Sequence, residues 1–247
     1  TELPPFTIPS ARRRHGMIYD TYDDVLIMIG GETNAAFFDE IYKYDPFIDE
    51  WSIVSNPSTR PSARSRFGMV YSSLMNGIFI FGGIDVTGLA LDDTWVYNIT
   101  ENSWTQLLSA ASPSARYGHG MAYIASQDVM VLFGGTSDGS TLLGDIWYFD
   151  IPEVSWVQIS PALSPSARRD FGFVAGNNDE IVLFGGVDIS GASDETWSYS
   201  YTANAWTEVN AITKPSATEA PAFAYDSSSK RILLFGGRVL GIASAQT

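Results

Sequence analysis

The chain has 247 residues, 45% hydrophobic and 13% aromatic, enough for one large core or two small ones. Its 14 basic residues stand against 28 acidic ones, and a net charge of −14 argues against a nucleic-acid binder, which needs concentrated positive surface. The absence of cysteine excludes disulfide scaffolds, zinc-thiolate sites and thiol nucleophiles, and apolar runs such as 129–133 fall far short of the roughly 20 residues of a membrane-spanning helix.

Self-similarity organises the rest. Residues 1–8 open without a charged-then-apolar leader, and Thr1-Glu2-Leu3 matches Thr105-Gln106-Leu107, so the chain is expected to start inside the fourth strand of a preceding or shared unit. The unit at about 9–60 begins with Pro9-Ser10-Ala11-Arg12. It continues through a strand at 16–19, a polar turn at 20–24 and an apolar run that ends on Gly30-Gly31, and then presents Tyr42 and Trp51. The unit at 61–112 repeats this with Arg64, Gly82-Gly83, Trp95 and Trp104, and the unit at 113–164 with Arg116, Gly134-Gly135, Trp147 and Trp156. The unit at 165–214 carries Arg168, Gly185-Gly186, Trp197 and Trp206, and its first hairpin shortens by one residue around Gly176-Asn177-Asn178. A partial fifth unit, 215–247, keeps Gly236-Gly237 but has Thr218 in the arginine slot and ends before any third strand. The Gly-Gly pairs are spaced 52, 52, 51 and 51 residues apart, and all seven tryptophans fall in two columns of that period.

Each unit reads as four short strands with almost no helix, and a sheet with two apolar faces must be covered by its neighbours. Gly-Gly after the second strand, an aromatic in the third and a tryptophan opening the fourth, in a unit of about 50 residues, resemble the kelch repeat of the galactose oxidase central domain-like superfamily. The resemblance covers essentially the whole chain. It implies an all-β, kelch-type β-propeller of four-stranded antiparallel blades, with four complete units plus a partial fifth. The phase of the ends implies either a closed five-bladed ring with a defective blade or, as the reading adopted, part of a longer protein with six or seven blades.

Alternation places the Pro-Ser-Ala-Arg linker and the loop after Gly-Gly on one face of the blades. The loops 32–38, 84–91, 136–143 and 187–193 are the longest and least alike, so that face is the expected binding site. Candidate binding residues there are the acids Glu32, Asp85, Asp138 and Asp188 and the arginine column Arg12, Arg64, Arg116 and Arg168. An acidic column, Glu40, Asp93, Asp145 and Glu195, recurs in step with the arginines. The arginines therefore either bind an anion or, as preferred, form inter-blade ion pairs or bond loop carbonyls. His15 and His119 share a column with Phe67 and Phe171, which favours an aromatic filler over a metal ligand. No calcium-loop pattern, catalytic triad order or phosphate-binding loop is present, and no cofactor or metal is expected. Zero cysteine removes the crosslinked tyrosine of galactose-oxidase-like copper enzymes.

The function expected is a non-catalytic binding or scaffold module presenting variable loops to a protein or glycan partner, which could include other parts of the same longer chain. The alternative is a carbohydrate-active enzyme, mutarotase-like or a hydrolase or lyase, acting at the central mouth. Asn98-Ile99-Thr100 is a glycosylation sequon at a strand end. With three lysines and the acidity, it tilts the expected location toward the cell surface or outside.

Overall fold

The computed structural model describes residues 8–239 and 242–243. The expected strand at Thr1–Leu3 therefore lies outside the described residues. The chain divides into two compact units, Thr1–Leu108 and Ser109–Thr247.

The first unit holds two blades. One is built from Gly16–Asp20, Val25–Ile29, Ile41–Asp45 and Glu50–Val54, the other from Gly68–Ser72, Gly77–Phe81, Thr94–Asn98 and Ser103–Leu107, each an antiparallel sheet in chain order. The second unit holds two more: Gly120–Ile124, Val129–Phe133, Ile146–Asp150 and Ser155–Ile159, then Gly172–Ala175, Glu180–Phe184, Thr196–Ser200 and Ala205–Glu208. A partial fifth follows as the hairpin Ala222–Asp226 and Arg231–Phe235. The only helical element among the described residues is a three-residue 3-10 turn, Asn177–Asp179, in the shortened hairpin that the polar Gly-Asn-Asn run marks.

Why these residues form blades is visible in burial. The second strands Gly77–Phe81 and Val129–Phe133 are buried at every position, as a strand covered on both faces must be. The fourth strands of the later blades bury their tryptophan and expose the residues after it, whereas Trp51 of the first blade is half-buried. That tryptophan sits directly across from the third-strand aromatic, with ring centroids 5.1 Å apart for Tyr97–Trp104, 5.1 Å for Phe149–Trp156 and 4.9 Å for Tyr199–Trp206. Trp95, Trp104, Trp156, Trp197 and Trp206 are core plates, and Trp51 and Trp147 are half-buried.

Gly-Gly answers two demands at once. Gly134 and Gly135 have φ of 69° and 99°, a left-handed backbone where a side chain is strained. A Cβ on Gly134 would lie 2.7 Å from the Arg168 carbonyl of the next blade, and one on Gly135 would lie 2.9 Å from the Cβ of His119. The same close approaches recur at Gly30 against the Arg64 carbonyl and at Gly31 against His15. The first glycine thus admits the neighbouring blade, and the second admits the aromatic column of its own blade.

The hairpins opposite those loops carry a recurring clamp. A strand tyrosine donates its hydroxyl to the Asp or Asn five residues on, as in Tyr44–Asp49 (2.6 Å), Tyr71–Asn76 (2.9 Å), Tyr97–Asn102 (2.8 Å), Tyr123–Asp128 (2.8 Å) and Tyr199–Asn204 (3.0 Å); Tyr19–Asp24 makes the same bond. The acceptor residue occupies the left-handed turn position each time, for example Asn102 at φ 48°. Tyr97→Phe is expected to cost about 0.5–1.5 kcal/mol in urea unfolding. Tyr225→Phe should cost close to nothing, because position 230 is Lys and the buried Tyr225 hydroxyl has no hydrogen-bond partner.

Candidate functional site

In every described unit the loop after Gly-Gly pairs with the linker of its own blade, which brings both to the same end. Bridges join Arg13 to Glu32, Tyr117 to Thr136, Arg169 to Val187 and Glu219 to Arg238, while Arg64-Ser65 pairs with Ile84-Asp85.

The arginine column lies beneath this face. Arg64 donates Nε to the Ser62 carbonyl (3.1 Å), one terminal nitrogen to Gly82 O (3.0 Å) and Asp93 Oδ1 (2.6 Å), and the other to Ser62 Oγ (3.2 Å) and Asp93 Oδ2 (2.7 Å). Arg116 repeats the set on Ser114, Gly134 and Asp145, and Arg168 on Ser166, Gly185 and Glu195. Arg12 does so on Ser10, Gly30 and Glu40, with its guanidinium 3.9 Å from the Phe38 ring centroid. Five N–H donors meet five acceptors in Arg64 and Arg116, and these two side chains are 3% and 1% exposed. The acid partner belongs to the same repeat, not to a neighbouring blade as the inter-blade reading expects. The connection between blades runs instead through the arginine's backbone: Arg64 N donates to Phe38 O (3.1 Å) and Gly31 N to Arg64 O (2.9 Å), and Arg168 binds Leu143 and Gly135 alike. Each such arginine joins two blades, backbone to one and side chain to the other. The acid also accepts the indole N–H two residues on, Trp95 to Asp93 and Trp147 to Asp145, both at 2.7 Å.

Burial opposes the charge of Asp93 and Asp145, but hydrogen bonds and charge from Arg64 and Arg116 outweigh it and hold both carboxyls below their ordinary value. A carboxyl that titrates lower folded than unfolded stabilises the chain above the unfolded range near pH 4, and this stability is lost as pH falls through the folded value. The urea midpoint should therefore drop below about pH 4, and Asp145→Asn should flatten that drop.

Three of the four loop acids shape their own loops, and Glu32 instead binds the linker of its own repeat and Ser65 of the next. Asp138 is exposed and accepts the N–H of Ser140 (2.8 Å) and Thr141 (2.6 Å) together with both hydroxyls, bonds that hold its carboxyl low. Asp85 accepts from Thr87 and Leu89. Burial works against its charge, and these bonds win, so it too lies below the ordinary range. Asp188 accepts Ser190 N (2.7 Å) and the Ser166 hydroxyl (3.0 Å). Glu32 is buried; desolvation opposes its charge, but the Ser65 hydroxyl and the Arg14 and Arg13 guanidiniums prevail and keep it below its usual value. Beyond the acids the loops raise Val86, Leu89 and Ile189 into solvent, Ile189 at 91% exposure.

The repeat markers pass over one further column. Arg14, Arg66, Gly118, Asp170 and Ala220 all have φ between 50° and 64°, four of them without the glycine that such a backbone favours. Within the units they link neighbouring blades, Arg66 N to Arg14 O, Asp170 N to Gly118 O and Ala220 N to Asp170 O. The first two repeats carry arginine there and the other three carry Gly, Asp and Ala, so the sequence signal is a variable position two residues after each motif arginine or its Thr218 counterpart.

His15 packs against Gly31, and burial first, then the Arg12 charge, pushes its imidazole below the ordinary value. Among the described residues no three His, Asp or Glu side chains form a metal-binding group, and no helix is long and apolar enough to cross a membrane. Asn98 ends its strand half-buried, its Oδ1 accepting Glu101 N at 3.0 Å.

Comparison with known proteins agrees with this architecture. The family model described as the KLHDC2/KLHL20/DRC7 Kelch-repeats domain matches residues 3–111 and 76–245. Among curated Arabidopsis thaliana proteins, an F-box/kelch-repeat protein is 37% identical over 87 residues, 32% of this chain and 18% of that protein. Acyl-CoA-binding domain-containing protein 4 is 26% identical over 199 residues (78% and 28%), and Adagio protein 3 is 28% identical over 175 (67% and 27%). The chain spans less than a third of the length of these relatives. With its in-phase Gly-Gly pairs, tryptophan plates and four-stranded blades, the chain belongs to the kelch-repeat family of β-propellers.

Proposed function

We propose that the chain is a non-catalytic protein-binding module whose partner contacts the loop end of the blades. The observation that carries this is the contrast between a repeated frame and unrepeated loops. Arg12, Arg64, Arg116 and Arg168 brace the frame, and Glu32, Asp85, Asp138 and Asp188 pin the loops. What differs from blade to blade is the chemistry those loops hold out, Val86 and Leu89 in one and Ile189 in another. Rigid loops with exposed apolar tips lose little entropy on binding. The acid–base alternative draws no support from the carboxyls. A general acid works with its pKa raised toward neutrality, whereas Glu32, Asp85 and Asp138 are all held low.

The test is site-specific photocrosslinking in extract of the source cells, with the probe at Leu89 or Ile189 and controls at Ser126 and Ser228 in the opposite hairpins. Protein adducts confined to the loop positions support the reading. Adducts at the controls alone, or binding of free glycans with no protein adduct, would overturn it.

A further inference from the structure

The opposite end of the first unit differs from that of the second in a way the shared frame does not require. Tyr22, Phe47, Ile48, Leu74 and Met75 occupy hairpin tips there and are 54–81% exposed. Four of the five equivalent tips of the second unit carry Ser126-Gln127, Asn177-Asn178, Thr202-Ala203 and Ser227-Ser228, small or polar residues on the same turns, and the fifth, Pro152-Glu153, is flanked by Val154 at only 38% exposure. Water-facing aromatic and aliphatic side chains gathered in one place mark contact surfaces more often than chance.

These tips are held, not loose. Asp20 accepts Tyr22 N (2.9 Å), Asp45 accepts Phe47 N (2.8 Å), and the tyrosine clamps lock Asp24, Asp49 and Asn76 in the left-handed turn position. The hairpins are also neighbours. Lys43 reaches Asp23 across the first blade at 3.4 Å. Tyr71 of the second blade lies against Asp20 of the first, and burial followed by that acid pushes its hydroxyl up to about 12.

Charge defines what such a surface accepts. Asp23, Asp24, Asp45, Asp49, Glu50 and Glu101 surround the apolar tips, and the basic side chain among them, Lys43, is already paired with Asp23. An anionic lipid surface or an acidic peptide is repelled by this rim, as is a second copy presenting the same face. Lysine or arginine flanking an apolar stripe satisfies both the acids and the tips.

We propose that the hairpin end of the first unit is a docking surface for a basic amphipathic protein segment, with Tyr22, Phe47, Ile48, Leu74 and Met75 receiving its apolar side chains and the surrounding acids its cations. This surface is separate from the loop end assigned above, and either assignment can fail alone.

The experiment uses the whole chain and two labelled peptides about five helical turns long, one of leucine and lysine, the other of leucine and glutamate, titrated by fluorescence anisotropy. The lysine peptide is expected to bind, more weakly at raised salt, and the glutamate peptide to bind at least about tenfold more weakly. Hydrogen exchange should slow at 20–24, 45–50 and 73–76. Tyr22→Ser/Phe47→Ser, and separately Leu74→Ser/Met75→Ser, should each weaken binding by about tenfold with the thermal midpoint unchanged, since these side chains are exposed. Binding by both double variants as tight as by the unaltered chain, equal binding of the two peptides, or protection at the loop end instead would overturn the proposal. So would light scattering that shows a dimer abolished by Tyr22→Ser/Phe47→Ser, which would make a second copy the occupant.

Discussion

Replacing Arg116 by methionine is expected to lower the unfolding free energy by about 3 kcal/mol, the low end of the range for breaking a buried ion pair, because Asp145 keeps some contact with water. The loss has two parts. Asp145 is left charged without its bidentate partner, and the Ser114 and Gly134 carbonyls lose their donor inside the blade. Arg116→Lys should recover only a fraction, because an ammonium offers three donors from a point where the guanidinium offers five in a plane. The double change Arg116→Met/Asp145→Asn should cost less than the sum of its singles, since it removes the stranded charge. Urea unfolding followed by tryptophan fluorescence measures all four. A single-variant loss well below about 1 kcal/mol would mean the pair behaves as a surface ion pair.

The second large effect is expected at Gly134→Ala. A left-handed backbone costs an alanine about 1–2 kcal/mol, and overpacking adds about 1–3 kcal/mol because the new Cβ meets the Arg168 carbonyl at 2.7 Å. That carbonyl cannot simply move aside, since it accepts Gly135 N at 2.8 Å and so ties the two blades together. Gly88→Ala is the matched control. Its φ is 84° but nothing lies within 4 Å of the added Cβ, so only the backbone part should appear. Similar losses at Gly134 and Gly88 would show that the close approach between blades carries no weight.

The period of Gly-Gly and tryptophan suffices to read the blades from the sequence, because a repeat that cannot bury its own faces has few ways to fold. The four strands of each unit lie within a residue or so of their expected positions; the strand read at 104–108, for instance, runs Ser103–Leu107. The partner of the arginine column is less legible. Two charge columns in phase show that arginine and acid recur together, but not whether the reach is within a repeat or across blades. The deciding geometry involves Ser62 and the Gly82 carbonyl, neither of which advertises a role in a charge pattern. Tyrosine and Asp or Asn five residues apart recur in six hairpins, yet strand periodicity alone does not separate a clamp from two unrelated turn residues. The left-handed column from Arg14 to Ala220 is hidden for a related reason, since Arg, Asp and Ala there give no hint of positive φ. Thr218 shows the coupling from the other side. Where the arginine is absent, the hydroxyl bonds the Arg238 carbonyl at 3.2 Å, and the backbone still joins the fifth unit to Gly186 and Ser193.

At the centre of this account, the motif arginines are consumed as braces and are not presented to a ligand. Phenylglyoxal modification of the native chain, mapped by mass spectrometry, tests that most directly. Arg13, Arg231 and Arg238, whose side chains are exposed, should label rapidly, while Arg12, Arg64, Arg116 and Arg168 remain protected until the chain is unfolded. Labelling of Arg64 or Arg116 in the folded chain at the rate of Arg13 would contradict the account.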